Sequence, residues 1–87
     1  MDPYEEFAPA LRKQIRMEMA ERDILQSELA AAAEIMPATL NRYLQGHRNF
    51  PIATLARIAR QFGMSTSELM GRAEARLARQ RNDAAQP

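Results

Sequence analysis

The chain has 87 residues, of which 26% are charged and 46% hydrophobic, and its formal net charge is +1. A chain this short folds as one domain at most and hides only about 60% of the surface it exposes when unfolded. The lack of cysteine removes disulfides, thiolate metal sites and cysteine nucleophiles, and no run approaches the roughly 18 apolar residues of a membrane span.

Residues 2–6 read Asp-Pro-Tyr-Glu-Glu, which is no secretory leader, so a cytoplasmic protein is expected. No segment sustains an apolar/polar alternation, and no Asn-Gly or Asp-Gly pair joins two β-rich runs. The expected fold class is all-α, a compact bundle of about five short helices. Phe7, Leu11, Ile15 and Met19 recur every four residues and stack on one face of a first helix. Asp2-Pro3 opens it, Pro9 is expected to kink or restart it, and it fades near Arg22-Asp23. A second helix runs from about Leu25 to Ala33, with Leu29 and Ala33 inward. Its four consecutive alanines, Ala30 to Ala33, favour helix and let another backbone come close.

Glu34-Ile35-Met36 breaks the run, and Pro37 suits the first position of a third helix, which ends before Gly46. His47 to Phe50 read as a loop. Pro51 opens a fourth helix with Leu55, Ile58, Ala59 and Phe62 inward, stopped by Gly63. Ser65-Thr66-Ser67-Glu68 is a capping box, with the glutamate reaching back. It starts a fifth helix carrying Leu69, Ala73 and Leu77 on one stripe. Asn82 to Pro87 are expected to fray. Residues 1–70 would thus form one domain, and 71–87 a basic helical extension and tail.

Charge is unevenly placed along these elements. From Ile35 to Ser67 there is no acidic residue, but Arg42, Arg48, Arg57 and Arg60 lie there. Gly71 to Gln80 adds Arg72, Arg76 and Arg79 against Glu74 alone. A nearly neutral chain can therefore present one basic face, the footprint of a polyanion binder; arginines that merely solvate helix surfaces are the plain alternative.

The informative segment is Gln26 to Gln45. Two short helices about three residues apart make a helix-turn-helix, which needs a small residue where they cross and finds it in Ala30. Leu29, Ala33, Ile35, Leu40 and Tyr43 supply the buried residues. At 100° per residue, Leu40, Tyr43 and Leu44 share the inner face of the third helix, and Ala38, Asn41, Arg42 and Gln45 the outer. That outer face suits a DNA major groove. Asparagine can pair bidentately with adenine, arginine with guanine, and an alanine methyl can meet a thymine methyl.

Residues 8–70 resemble the phage-repressor/Cro type of helix-turn-helix, the lambda-repressor-like domains. The likeness rests on Gln26-Ser27-Glu28-Leu29-Ala30, on Gly46-His47-Arg48-Asn49, and on the run from Thr54 to Met64. It implies that Gln26 contacts a phosphate or braces the recognition helix. Pro37, Ala38, Asn41 and Arg42, with Thr39 beside them, would face base edges. Gln45, His47, Arg48 and Asn49 would hold the DNA backbone. The sequence departs from the family in three places. Glu34 stands where a turn glycine is usual, at a cost of about 1 kcal/mol if the left-handed geometry is kept. Leu25 stands where a polar cap usually precedes the glutamine, so Asp23 is expected to cap instead. Met19 and Leu44 occupy the positions of a frequent arginine–glutamate pair, and an apolar replacement of such a pair is often neutral or stabilising.

Other chemistry finds little footing. One histidine without cysteine makes no zinc site, and Ser27, Ser65 and Ser67 have no base-and-orienter set. No cofactor, metal or small-molecule ligand is expected, and no enzymatic activity. Glu5-Glu6 and Glu18-Glu21 read as solvated faces. Met17, Met19, Met36, Met64 and Met70 read as gap-filling core, and Tyr43 as packing.

The expected function is that of a sequence-specific, double-stranded DNA-binding transcriptional repressor. It would act as a homodimer with its recognition helices about 34 Å apart on a palindrome. At this length no sensor or self-cleaving domain is expected. Leu69, Ala73 and Leu77 are candidate dimer contacts, with Arg76 and Arg79 as further phosphate contacts. The competing reading is an antitoxin- or adaptor-like protein-binding module with secondary DNA binding.

Overall fold

Five helices follow one another along the computed structural model, which describes residues 3–85: α1 (Pro3–Glu21), α2 (Gln26–Ala32), α3 (Pro37–Gln45), α4 (Ile52–Gln61) and α5 (Thr66–Ala85). No strand occurs among the described residues, and no helix there is long and apolar enough to cross a membrane. α1 continues through Pro9 without interruption. α5 stays helical through Asn82 and Asp83 to Ala85 rather than fraying from Asn82. Asp2, expected to open α1, and Gln86 and Pro87, the end of the expected frayed tail, lie outside the described residues.

The first four helices all end in the same way. In each, a residue just past the helix has positive φ: Asp23 at 52°, Glu34 at 60°, Gly46 at 85° and Gly63 at 74°. The following N–H turns back to a carbonyl five residues earlier: Ile24 to Met19, Ile35 to Ala30, His47 to Arg42 and Met64 to Ala59. This is the Schellman arrangement, which satisfies carbonyls that the helix leaves over. Two of the four positions lack glycine, so the expected strain at Glu34 is present. Glu34 also pairs with Arg57 at 2.9 Å, both side chains being well exposed. Such a surface pair contributes about 0–1 kcal/mol, less than the left-handed backbone costs a residue with a Cβ. Glu34→Gly should therefore raise stability, by roughly 0.5–1 kcal/mol, visible as a higher melting temperature. A lower one would show that the Arg57 pair outweighs the strain.

Starts differ from the sequence expectation in two places. Leu25, not Asp23, precedes α2, and its side chain makes no cap bond; Glu28 instead accepts the Leu25 N–H at 2.9 Å. Asp23 is occupied in the left-handed turn. At α5, Ser65 Oγ accepts the Glu68 N–H at 3.0 Å as expected, but the Glu68 carboxylate receives Arg72 rather than reaching back.

The core takes Leu11 and Ile15 from α1, Leu29 and Ala30 from α2, Leu40 and Leu44 from α3, Leu55, Ile58 and Ala59 from α4, and Leu69 and Ala73 from α5. Ala30 is fully buried, as the helix crossing requires. Met64 joins this core, and Met19 and Met70 pack against it. Met36 (71% exposed) and Met17 (42%) do not, which corrects their reading as core. Leu69 and Ala73 are completely buried within the chain itself, which corrects their reading as dimer contacts; Leu77 is half-buried. The stripe that suggested a partner is α5's own seam against the bundle.

α1 and α5 run antiparallel, since Glu18 meets Arg72, Gln14 meets Arg76 and Glu6 meets Arg81. Glu18 is 1% exposed, which corrects its reading as part of a solvated face, while Glu21 is exposed as expected. Its carboxylate accepts from Gln14 at 2.6 Å, Arg22 at 2.5 Å and Arg72 at 2.9 Å. Arg22 also donates to the Phe62 carbonyl and lies over the Phe62 ring. Burial pushes the Glu18 carboxyl up, but the hydrogen bonds from Arg72, Gln14 and Arg22 outweigh it and hold it below its ordinary value of 4.5. A carboxylate depressed in the folded state contributes its full stability above the unfolded value and loses it as pH falls through the folded one. Thermal melts should show the wild type weakening below about pH 4.5 more steeply than Glu18→Gln. At neutral pH that variant should be less stable by about 1–3 kcal/mol. Parallel pH profiles for the two chains would refute the network's role.

Candidate nucleic-acid interface

Helix α3 begins with Pro37 and ends at Gly46, whose positive φ closes the helix. Leu40, Tyr43 and Leu44 are buried, which turns the other side of the helix to solvent. Pro37, Ala38, Asn41, Arg42 and Gln45 are exposed, and Thr39 is half-buried. The partition follows from the 3.6-residue period. Tyr43 packs as read from the sequence: its ring meets Phe50 at 5.2 Å, tilted by 44°. That contact anchors the loop after α3 to the helix itself.

His47, Arg48 and Asn49 are exposed on this loop. Gln26, the first residue of α2, is half-buried, and its Nε2 donates to Asn41 Oδ1 at 3.4 Å. Of the two roles considered for Gln26, the bond matches bracing of the recognition helix. Asn41 keeps its amide N–H groups and a second lone pair on Oδ1 for a ligand. Arg42 and Arg48 make no ion pair among the described residues. The acid nearest in sequence, Glu34, is engaged by Arg57. The outer side of α3 and its loop therefore carry uncompensated positive charge.

In the extension, Arg76 donates to Gln14 Oε1 at 2.9 Å, while Arg79 is exposed. Two arginines of α1, absent from the sequence reading of the site, reach the end of α3. Arg16 Nη2 donates to the Leu44 carbonyl at 2.6 Å. A Cβ at Gly46 would lie 2.9 Å from Arg12 Cζ. A cation at a helix C-terminus complements its dipole and its unpaired carbonyls, so Arg16 ties α1 to the end of α3. The i, i+4 spacing of Arg12 and Arg16 places them on one face of α1, the only signal in the sequence; what that face meets is 28 residues away.

The Cro/C1-type HTH DNA-binding domain family model matches residues 14–74. No curated protein matches the chain. Among solved structures, the clp gene regulator ClgR from Corynebacterium glutamicum is similar, with a TM-score of 0.79 at 23% identity, covering 90% of this chain and 83% of that one. At that identity the likeness speaks for the fold alone. The family match spans most of the chain and contains every element of the surface described above, which sets it among DNA-binding proteins rather than enzymes. The chain belongs to the Cro/C1-type helix-turn-helix DNA-binding family.

Proposed function

We propose that the protein is a sequence-specific transcriptional regulator that represses by occupying promoter DNA as a homodimer on a palindromic operator. The observation that carries this reading is the exposed polar side of α3, where Asn41 and Arg42, and Arg48 in the loop that follows, make no ion pair among the described residues and lie in a stretch of sequence without acids. Pro37, Ala38, Thr39, Asn41 and Arg42 would read base edges. Gln45, His47, Arg48 and Asn49 would hold phosphates, with affinity gained from counterion release. Gln26 would serve as the brace of Asn41. One recognition helix covers only a few base pairs, so two copies about 34 Å apart would supply the missing specificity. The protein would work in the cytoplasm of a bacterial or phage-infected cell.

Selection of bound sites from random duplex DNA tests this directly. An inverted repeat with half-sites about 10 base pairs apart is expected, together with a steep loss of affinity as salt rises. Enrichment of no sequence, with shallow salt dependence, would favour a protein-binding module instead.

A further inference from the structure

We propose that the cleft between α1 and the end of α3 binds a small aromatic carboxylate, and that its occupation weakens the hold on DNA. The second half rests on the DNA reading above; the first does not. The cleft has a volume of about 180 Å³. Phe7 and Leu11 of α1, Tyr43 of α3 and Phe50 of the following loop supply its apolar lining, and Arg12 and Arg48 supply cations. No carboxylate lines it among the described residues. Neither arginine makes an ion pair among them.

These two halves narrow the ligand class. A hydrated inorganic anion gains nothing from three aromatic rings. A neutral hydrocarbon leaves two guanidinium groups without partners and strips water from them. A planar ring bearing a carboxylate satisfies both: the ring packs among aromatic neighbours, and the carboxylate accepts charge-assisted hydrogen bonds from arginine. The volume fits one ring, since an apolar cavity of about 150 Å³ already admits benzene.

The cleft is coupled to the DNA surface through shared residues. Arg48 belongs to both, and Phe50 fixes the loop through its contact with Tyr43. A carboxylate on Arg48 would compete with a DNA phosphate for the same charge, and the competition is reciprocal.

The test is a titration of the full chain with sodium benzoate, followed by amide NMR shifts, with benzamide and sodium acetate as matched probes. Benzoate should give saturable shifts confined to the cleft residues, with a millimolar dissociation constant. Benzamide and acetate should each bind about tenfold more weakly. Arg12→Gln and Arg48→Gln should each weaken benzoate about tenfold, while Lys13→Gln, an exposed change elsewhere on α1, should not. Linear shifts, equal responses to all three probes, or shifts centred on other arginines would overturn the site. In a second arm, saturating benzoate should weaken binding to the selected DNA site by about fivefold or more relative to acetate at equal ionic strength. Unchanged affinity there would overturn the coupling. Absence of a selected site without any benzoate would count against the DNA reading while leaving the cleft's own titration to stand or fall separately.

Discussion

Arg42→Ala should weaken binding to the selected DNA site by roughly tenfold to a hundredfold and relax the preference at one base pair. The guanidinium is exposed on the outer side of α3 and makes no ion pair among the described residues, so its removal should leave the melting temperature nearly unchanged. Arg48→Ala is the informative contrast. A phosphate contact carries no base information, so that variant should lose affinity evenly across sequences and shed about one unit of salt dependence. Competition binding against a panel of single-base variants separates the two outcomes. If Arg42→Ala reduced affinity evenly and left the base preference intact, Arg42 would be a backbone contact, and base reading would have to come from its neighbours.

Leu40→Ala should cost about 2–5 kcal/mol of stability. Leu40 is fully buried in the middle of α3, within a core that draws on every helix. A domain of this size holds only about 4–13 kcal/mol in total, so the loss is a large share. The melting temperature should fall by on the order of 10–30 °C, and DNA binding should fail when the helix melts. Thermal unfolding followed by circular dichroism reads the effect. A fall of only a few degrees would mean that the core closes around the missing side chain. Together the two variants separate the sides of one nine-residue helix: the outer change affects recognition, and the inner one affects folding.

The same helix shows how far local pattern reaches. Its start at Pro37, its stop at Gly46 and its buried and exposed sides follow from backbone geometry and a 3.6-residue period, which are properties of neighbours along the chain. The left-handed turn at Glu34 is legible too, because a residue with a Cβ stands where the resembling family has glycine. Leu69 and Ala73 show the limit. Their spacing correctly announces an apolar stripe, but a stripe does not say whether its partner is another copy or the rest of the same chain. Met36 and Met17 show the converse, apolar residues left in solvent because no element covers them.

The sequence by itself determined the helices, the helix-turn-helix and the outward set of α3, because hydrophobic period and capping act over a few residues. Only the tertiary structure decided that Glu18 is buried among Gln14, Arg22 and Arg72, that Arg16 holds the end of α3, and that Gln26 braces Asn41. The contacts that join separate helices here link residues 15 to 75 positions apart. A charged side chain reads as solvated until the partners that replace its water are brought to it, and packing of distant helices is what brings them.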